Sequence, residues 1–257
     1  MPTLSIELLE EKNPDAVELL DVLACFSGKD IPTAILRDGS TALPNGLLRQ
    51  TLTNPTRFDA AIASLISFSL VQKTSDGISI KSTIQEEVQR TVSERGPFEK
   101  VLKSAMCVLG EALSSDVFSV SKIKLHQRYQ PHFLTCYSLA KKSAIRSLEL
   151  ATLISKALTY MYERCTYDFV YELAQTALSI RRDYLGEKTY ETTKSMIQLA
   201  EFYQGWLYYK KAETLLPQGK RSVWCFSFGF TSTSWKPTFI WWIYTIIGKT
   251  QPKLVEY

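Results

Sequence analysis

Tyr160, Met161, Tyr167, Val170 and Leu173 return as Phe202, Tyr203, Tyr209, Ala212 and Leu215, a spacing of 42 residues. Ile154 and Leu158 return in the same way as Met196 and Ala200. Each copy reads as an apolar helix, a short break and a second apolar helix. The first pairs 151–164 with 167–182, and the second pairs 192–204 with 207–216. Repeats of about 20–50 residues build solenoids, in which each unit buries its apolar face against the next. Such a chain is expected to be mainly helical. It presents surfaces rather than clefts of reacting groups, so an interaction or regulatory role is the expectation.

Charge sharpens this. The 257 residues carry a net charge of +4, and apolar residues make up 45%, enough for a packed core. The charge is unevenly placed. Lys220, Arg221, Lys236, Lys249 and Lys253 against Glu256 account for all of it, leaving residues 1–216 neutral. A neutral body argues against nucleic-acid binding, which needs a basic stripe to displace counterions. The five cysteines are scattered, with no C-x-x-C spacing. They read as reduced, mostly buried thiols in a cytoplasmic protein. The opening residues show no basic segment followed by an apolar run, so no secretory leader is expected. The longest apolar run, 239–247, is too short for a membrane span of about 20 residues.

Along the chain, residues 4–11 read as a short amphipathic helix. Asn13 caps the next, with Pro14 at its first position, where a missing N–H costs nothing. Asp30 is expected to start a third short helix through Leu36, followed by a polar loop over 38–54. Phe58, Ile62, Leu65 and Ile66 form a helical stripe. Two β-like runs, Leu70-Val71 and Ile78–Ile80, flank Ser75-Asp76-Gly77, a hairpin signal. Ile84, Val88 and Val92 mark another helix. Helices followed by a small hairpin are the order of a winged-helix domain. After a break at Glu94–Pro97, a helix is expected over 98–113, a polar stretch over 114–124 and a helix over 131–143. After Pro217 helical periodicity vanishes and aromatic residues dominate. Proline stops a helix there, where a third repeat was due. The tail is expected to be irregular or foreign to the repeat.

Several stretches carry a family resemblance. Ser5-Ile6-Glu7 through Asn13-Pro14-Asp15-Ala16-Val17-Glu18-Leu19-Leu20, Asp30-Ile31-Pro32, and Ala60 to Val71 resemble the winged-helix region of fungal STAND regulators of the NB-ARC–TPR type, which are NLR-like proteins. Tyr167 through Ala177-Leu178-Ser179-Ile180-Arg181, Leu185-Gly186, Glu191-Thr192 and Leu199-Ala200 resemble tetratricopeptide repeats of the kinesin-light-chain kind. The resemblance covers about 1–216. It implies a regulatory function, with autoinhibition relieved when the repeats engage a ligand. Ser79-Ile80-Lys81 lies where that family has a histidine that reaches the nucleotide diphosphate. Lys81 replaces the histidine and is the one candidate nucleotide contact. The resemblance also implies a nucleotide-binding domain preceding the winged helix and packed on it, a domain expected to be absent from these 257 residues.

Catalytic chemistry finds little support. Gly248-Lys249-Thr250 is a partial phosphate-loop match, but Ile243 stands where the first glycine is needed. His126 and His132 are read as surface or linker histidines, without cysteine or carboxylate at metal-ligand spacing. Glu10-Glu11 and Glu86-Glu87 read as solvated helix faces. The helix before the wing, 57–68, offers one arginine and one acid, a poor set for reading bases. No catalytic residue, cofactor or metal is expected.

The expected fold is therefore mainly α: a winged-helix-like domain with a small β-hairpin over 1–95, a helical connector over 96–145, two TPR-like repeats over 146–216 and the aromatic tail over 217–257. Ile154, Leu158, Met161, Met196, Leu199, Ala200 and Tyr203 should be buried. Thr152, Ser155, Thr159, Tyr162, Glu163, Lys194, Ile197, Glu201 and Gln204 should line a groove for a protein partner. Two alternatives stay open: a winged-helix DNA-binding protein, and a truncated switch that still contacts ADP or ATP.

Overall fold

A computed structural model describes residues 2–96, 98–113, 120–161 and 167–205, and the single position Leu215. The second helix of the second repeat and the tail lie otherwise outside these residues. The chain divides into two compact units, 1–161 and 162–257. It is mainly helical, with one small three-stranded antiparallel sheet.

The first unit opens with α1 (Pro2–Lys12) and α2 (Pro14–Leu23). Asn13 sets the junction. Its Oδ1 accepts from the Ala16 amide at 3.2 Å, satisfying one of the donors a helix start leaves free. Its Nδ2 donates to Ser64 Oγ at 2.9 Å, tying the cap to a helix 51 residues on. Leu19, Leu20 and Leu23 of α2 are fully buried.

The expected helix from Asp30 starts later. Asp30 turns the chain with a left-handed φ of 48°, which aspartate tolerates better than most residues. Ile31–Pro32 then forms β1, and α3 runs over Thr33–Gly39. Pro32 is extended and has no N–H to give, so it fits an edge strand and ends the run before a helix begins. The expected polar loop over 38–54 is also structured. It holds a 3-10 turn (Ser40–Ala42) and α4 (Leu47–Thr53), whose Thr51 and Leu52 are buried.

Asn54 caps α5 (Pro55–Ser67), accepting from the amides of Thr56 and Arg57. The hairpin follows as β2 (Val71–Lys73) and β3 (Gly77–Ile80). The sheet order is β1-β3-β2, with Ile31 opposite Ile78 and Val71 opposite Ile80. Gly77 is required by proximity. A Cβ there would stand 2.6 Å from the Ile31 carbonyl oxygen across the sheet. Next comes α6 (Ser82–Arg95). Its Gln85 and Gln89 donate to the Phe26 and Ala24 carbonyls at 2.6 and 2.7 Å, covering oxygens at the end of α2.

The next three helices belong to this same unit. These are α7 (Phe98–Ala112), α8 (Val120–Lys142) and α9 (Leu148–Met161). Helix α7 packs on α3, α2 and α9, with Leu102, Ala105, Met106 and Leu109 buried. The closest approach is at Gly39, where an added Cβ would lie 2.1 Å from the Val108 carbonyl oxygen. The unit thus runs through the break expected at 94–97. Helix α8 begins before the expected start at 131 and carries Pro131 inside it, on its exposed side. That face can leave the missing hydrogen bond to solvent.

In the second unit, α10 (Tyr167–Leu185) and α11 (Tyr190–Gly205) form an antiparallel hairpin. Gly186 makes the turn with φ of 80°, and its amide donates to the Arg182 carbonyl at 3.0 Å. Arg181 is buried and donates to Ser195 Oγ and to the Glu191 carbonyl, linking the two helices near the turn. Burial holds its guanidinium below the usual arginine pKa. At the far end, Tyr171 lies 6.2 Å from Phe202 and 5.6 Å from Tyr203, ring to ring.

Candidate interaction site

The outward side of α5 faces solvent at Asp59, Ala60, Ala63, Ile66 and Ser67. Ile66 is 39% exposed. The one arginine of this helix, Arg57, is engaged elsewhere. Its Nε and Nη2 clasp both carboxylate oxygens of Asp15 at 2.8 and 2.7 Å. That bidentate pair holds the Asp15 carboxyl below its ordinary range. The helix that would read bases in a DNA-binding winged helix therefore offers solvent small apolar side chains, one acid and a paired arginine.

The wing beside it is held from outside the hairpin. Arg128 of α8 donates from Nη2 to Asp30 Oδ2 at 2.9 Å and to Asp76 Oδ1 at 2.8 Å. Its Nη1 also donates to Asp76 Oδ2, and its Nε to Asp30 Oδ2 at 3.2 Å. Arg128 hydrogen bonding pulls the Asp76 carboxyl below its ordinary range.

Both histidines lie on α8 and are buried, which corrects the expectation of surface or linker positions. They fall on the same side of the helix as Tyr129, Phe133 and Cys136, all buried. His126 lies 5.1 Å from the Tyr160 ring, and His132 packs edge-on to Phe26 at 5.9 Å. Burial lowers His132 to about 4, so it is neutral at neutral pH. Pro131 hid this role, because it reads as a helix start and so detaches His126 and Tyr129 from the face that continues through His132, Phe133 and Cys136. No group of three or more His, Cys, Asp or Glu among the described residues could hold a metal ion. Cys25 and Cys136 are buried, and the Cys136 thiol donates to the Cys25 carbonyl at 3.3 Å. Burial raises both thiols, which makes them poor nucleophiles.

Lys81 is exposed and stands at the N-cap of α6, immediately after β3. Among the groove positions, Thr152 and Thr159 are exposed on α9 and Lys194 on α11, while Glu201 is half-buried. Ser155 and Ile197 are buried, at 4% and 6% exposure, so neither faces solvent as a groove residue would. Helix α9 is covered on most sides, and Ser155 falls between the buried Ile154 and Ala157. In α11 the buried stripe is wider than the sequence pattern suggests and includes Thr192, Thr193 and Ser195. Met196, expected in the core, is only half-buried. Ile154, Leu158, Met161, Leu199, Ala200 and Tyr203 are buried. Tyr162, Glu163 and the Gln204 side chain lie outside what the structure describes.

Residues 8–96 match the family model of a domain of unknown function, DUF7779, which spans α2 to α6 and the C-terminal part of α1. The match covers about a third of the chain. No curated protein and no solved structure matches it. No helix among the described residues is long and apolar enough to cross a membrane.

Proposed function

We propose that this chain is a non-catalytic protein-binding and regulatory element, the sensor and switch part of an NLR-like signalling protein acting in the cytoplasm. The observation that carries the reading is the outward face of α5. Ala60, Ala63 and Ile66 are exposed there, and Arg57 is occupied by Asp15. A small, nearly uncharged helical face suits packing against another protein domain and lacks the groups that read bases. A nucleotide-binding domain is the proposed occupant of that face, with Lys81 near its nucleotide. A second protein partner is proposed for the helical repeats. Lys194 and Glu201 are its proposed contacts on α11, and Thr152 and Thr159 are proposed contacts on α9, each taken by itself.

Selection of binding peptides on the full chain tests the reading, followed by fluorescence titration of the selected peptides. The double substitution Lys194→Ala with Glu201→Ala is expected to weaken the selected peptides about tenfold or more. Binding to duplex DNA that falls steeply with salt would overturn the reading in favour of nucleic-acid recognition. So would selected peptides indifferent to both substitutions.

A further inference from the structure

We propose that Arg128 is a latch that holds the wing closed against helix α8, so that the position of the wing is set by a side chain 52 residues beyond its tip. This inference stands apart from the protein-binding reading above.

The wing is anchored at its base, where Val71, Ile78 and Ile80 are buried, but its tip has little apolar contact to hold it. Its strands are three and four residues long, and β1 adds only two more. Hairpins of that size are marginal in water. The turn is closed by the Thr74 amide donating to the Gly77 carbonyl at 2.9 Å, and Thr33 donates to the Asp76 carbonyl from its amide and its hydroxyl. Beside the β1–β3 pairing, side-chain ties to the tip run through Asp30 and Asp76. Asp30 Oδ1 accepts from the Thr74 hydroxyl at 3.0 Å, and the Asp30 amide donates to Ser79 Oγ at 3.0 Å.

Two carboxylates thus come to one place, from the turn before β1 and from the wing tip. Arg128 is the cation between them, and its planar fork serves both. An exposed single ion pair contributes little, but a guanidinium shared by two carboxylates is the geometry in which such contacts hold. Without the cation the two acids repel, and the wing tip loses its tie to α8. Arg128 is 31% exposed, so solvent ions reach the cluster and weaken it. The latch couples two elements in both directions. A partner that draws the wing outward must break the Arg128 bonds, and a displacement of α8 frees the wing.

Hydrogen exchange of the full chain, read by mass spectrometry at neutral pH, tests this. In Arg128→Gln the amides of residues 71–80 are expected to exchange about tenfold faster, with α5 and α9 unchanged. Raising salt from about 0.05 to 0.5 M should speed wing exchange in the natural protein and leave the variant nearly unaffected. Asp76→Asn leaves the core untouched and should reproduce the acceleration if Arg128→Gln fails to fold. Unchanged wing exchange in either folded variant would overturn the latch, as would an acceleration spread evenly over α5 and α9.

Discussion

Asp21 lies on the side of α2 that turns toward α6, and burial pushes its carboxyl up to about 7. Arg95 opposes the shift, while Glu18 and Glu10 add to it. The folded state therefore binds this proton more tightly than the unfolded chain does. The sign follows: the stabilisation is complete below pH 4 and is lost as pH rises through about 7. Asp21→Asn should stabilise the protein at pH 8 by on the order of 2–3 kcal/mol and change it little at pH 4. Urea unfolding of both proteins at the two pH values checks this, and equal effects at pH 4 and 8 would contradict it. Residues of this kind are hard to read from a sequence. Asp21 follows Leu19-Leu20 in a helix whose Glu18 faces water, and the packing of α6 decides its exposure. Asn13 and Pro14 are the opposite case. Their roles depend on neighbours within three residues, so the cap was legible before any coordinates. The same contrast separates the histidines from the hairpin turn. His132 is buried by Phe26, more than a hundred residues away, whereas Asp76-Gly77 declares its turn locally.

Among elements, α4 and β1 were the least legible. Helix α4 and β1 are short and bury few residues, so neither leaves a periodic signal. Strand β1 exists because β3 offers it an edge, a pairing between residues about 46 positions apart. The crossing of α3 on α7 depends on glycine, and two glycines of these helices should respond in opposite directions. Gly39→Ala would drive a Cβ into backbone atoms of α7 at 2.1 Å, so the helices must separate. A loss of about 1–3 kcal/mol is expected. Gly110→Ala places its Cβ 3.9 Å from Leu153, an ordinary contact, inside α7. There alanine should gain roughly 0.5–1 kcal/mol from its helix preference. Denaturation midpoints of the two variants test the crossing. A destabilisation of equal size in both would mean that backbone proximity is not what selects Gly39. The stripes of α5 and α6 were legible because each buries one face only. The stripe of α9 misled at Ser155 because that helix is covered on most sides.

At the scale of the whole chain, the decisive feature is where the first folding unit ends. Sequence reading places a boundary at Glu94–Pro97, and the matched family region also stops at 96. The structure carries the unit on to Met161, because α2 and α3 bury their second faces on α7. Leu102, Met106 and Leu109 are almost fully buried in that contact region. Three such side chains contribute about 5–9 kcal/mol of burial, comparable to the net stability of a small domain. The wing, tied to α8 through Arg128, belongs to the same body. The α5 face stays outward on that body, and the proposed regulatory role depends on that face being carried by a single folding unit. Thermal unfolding of two fragments, residues 1–96 and 1–161, puts this to the test most directly. The longer fragment should unfold in one cooperative transition, and the shorter should show none or melt far lower. A cooperative transition of the 1–96 fragment at the temperature of the longer one would contradict the account.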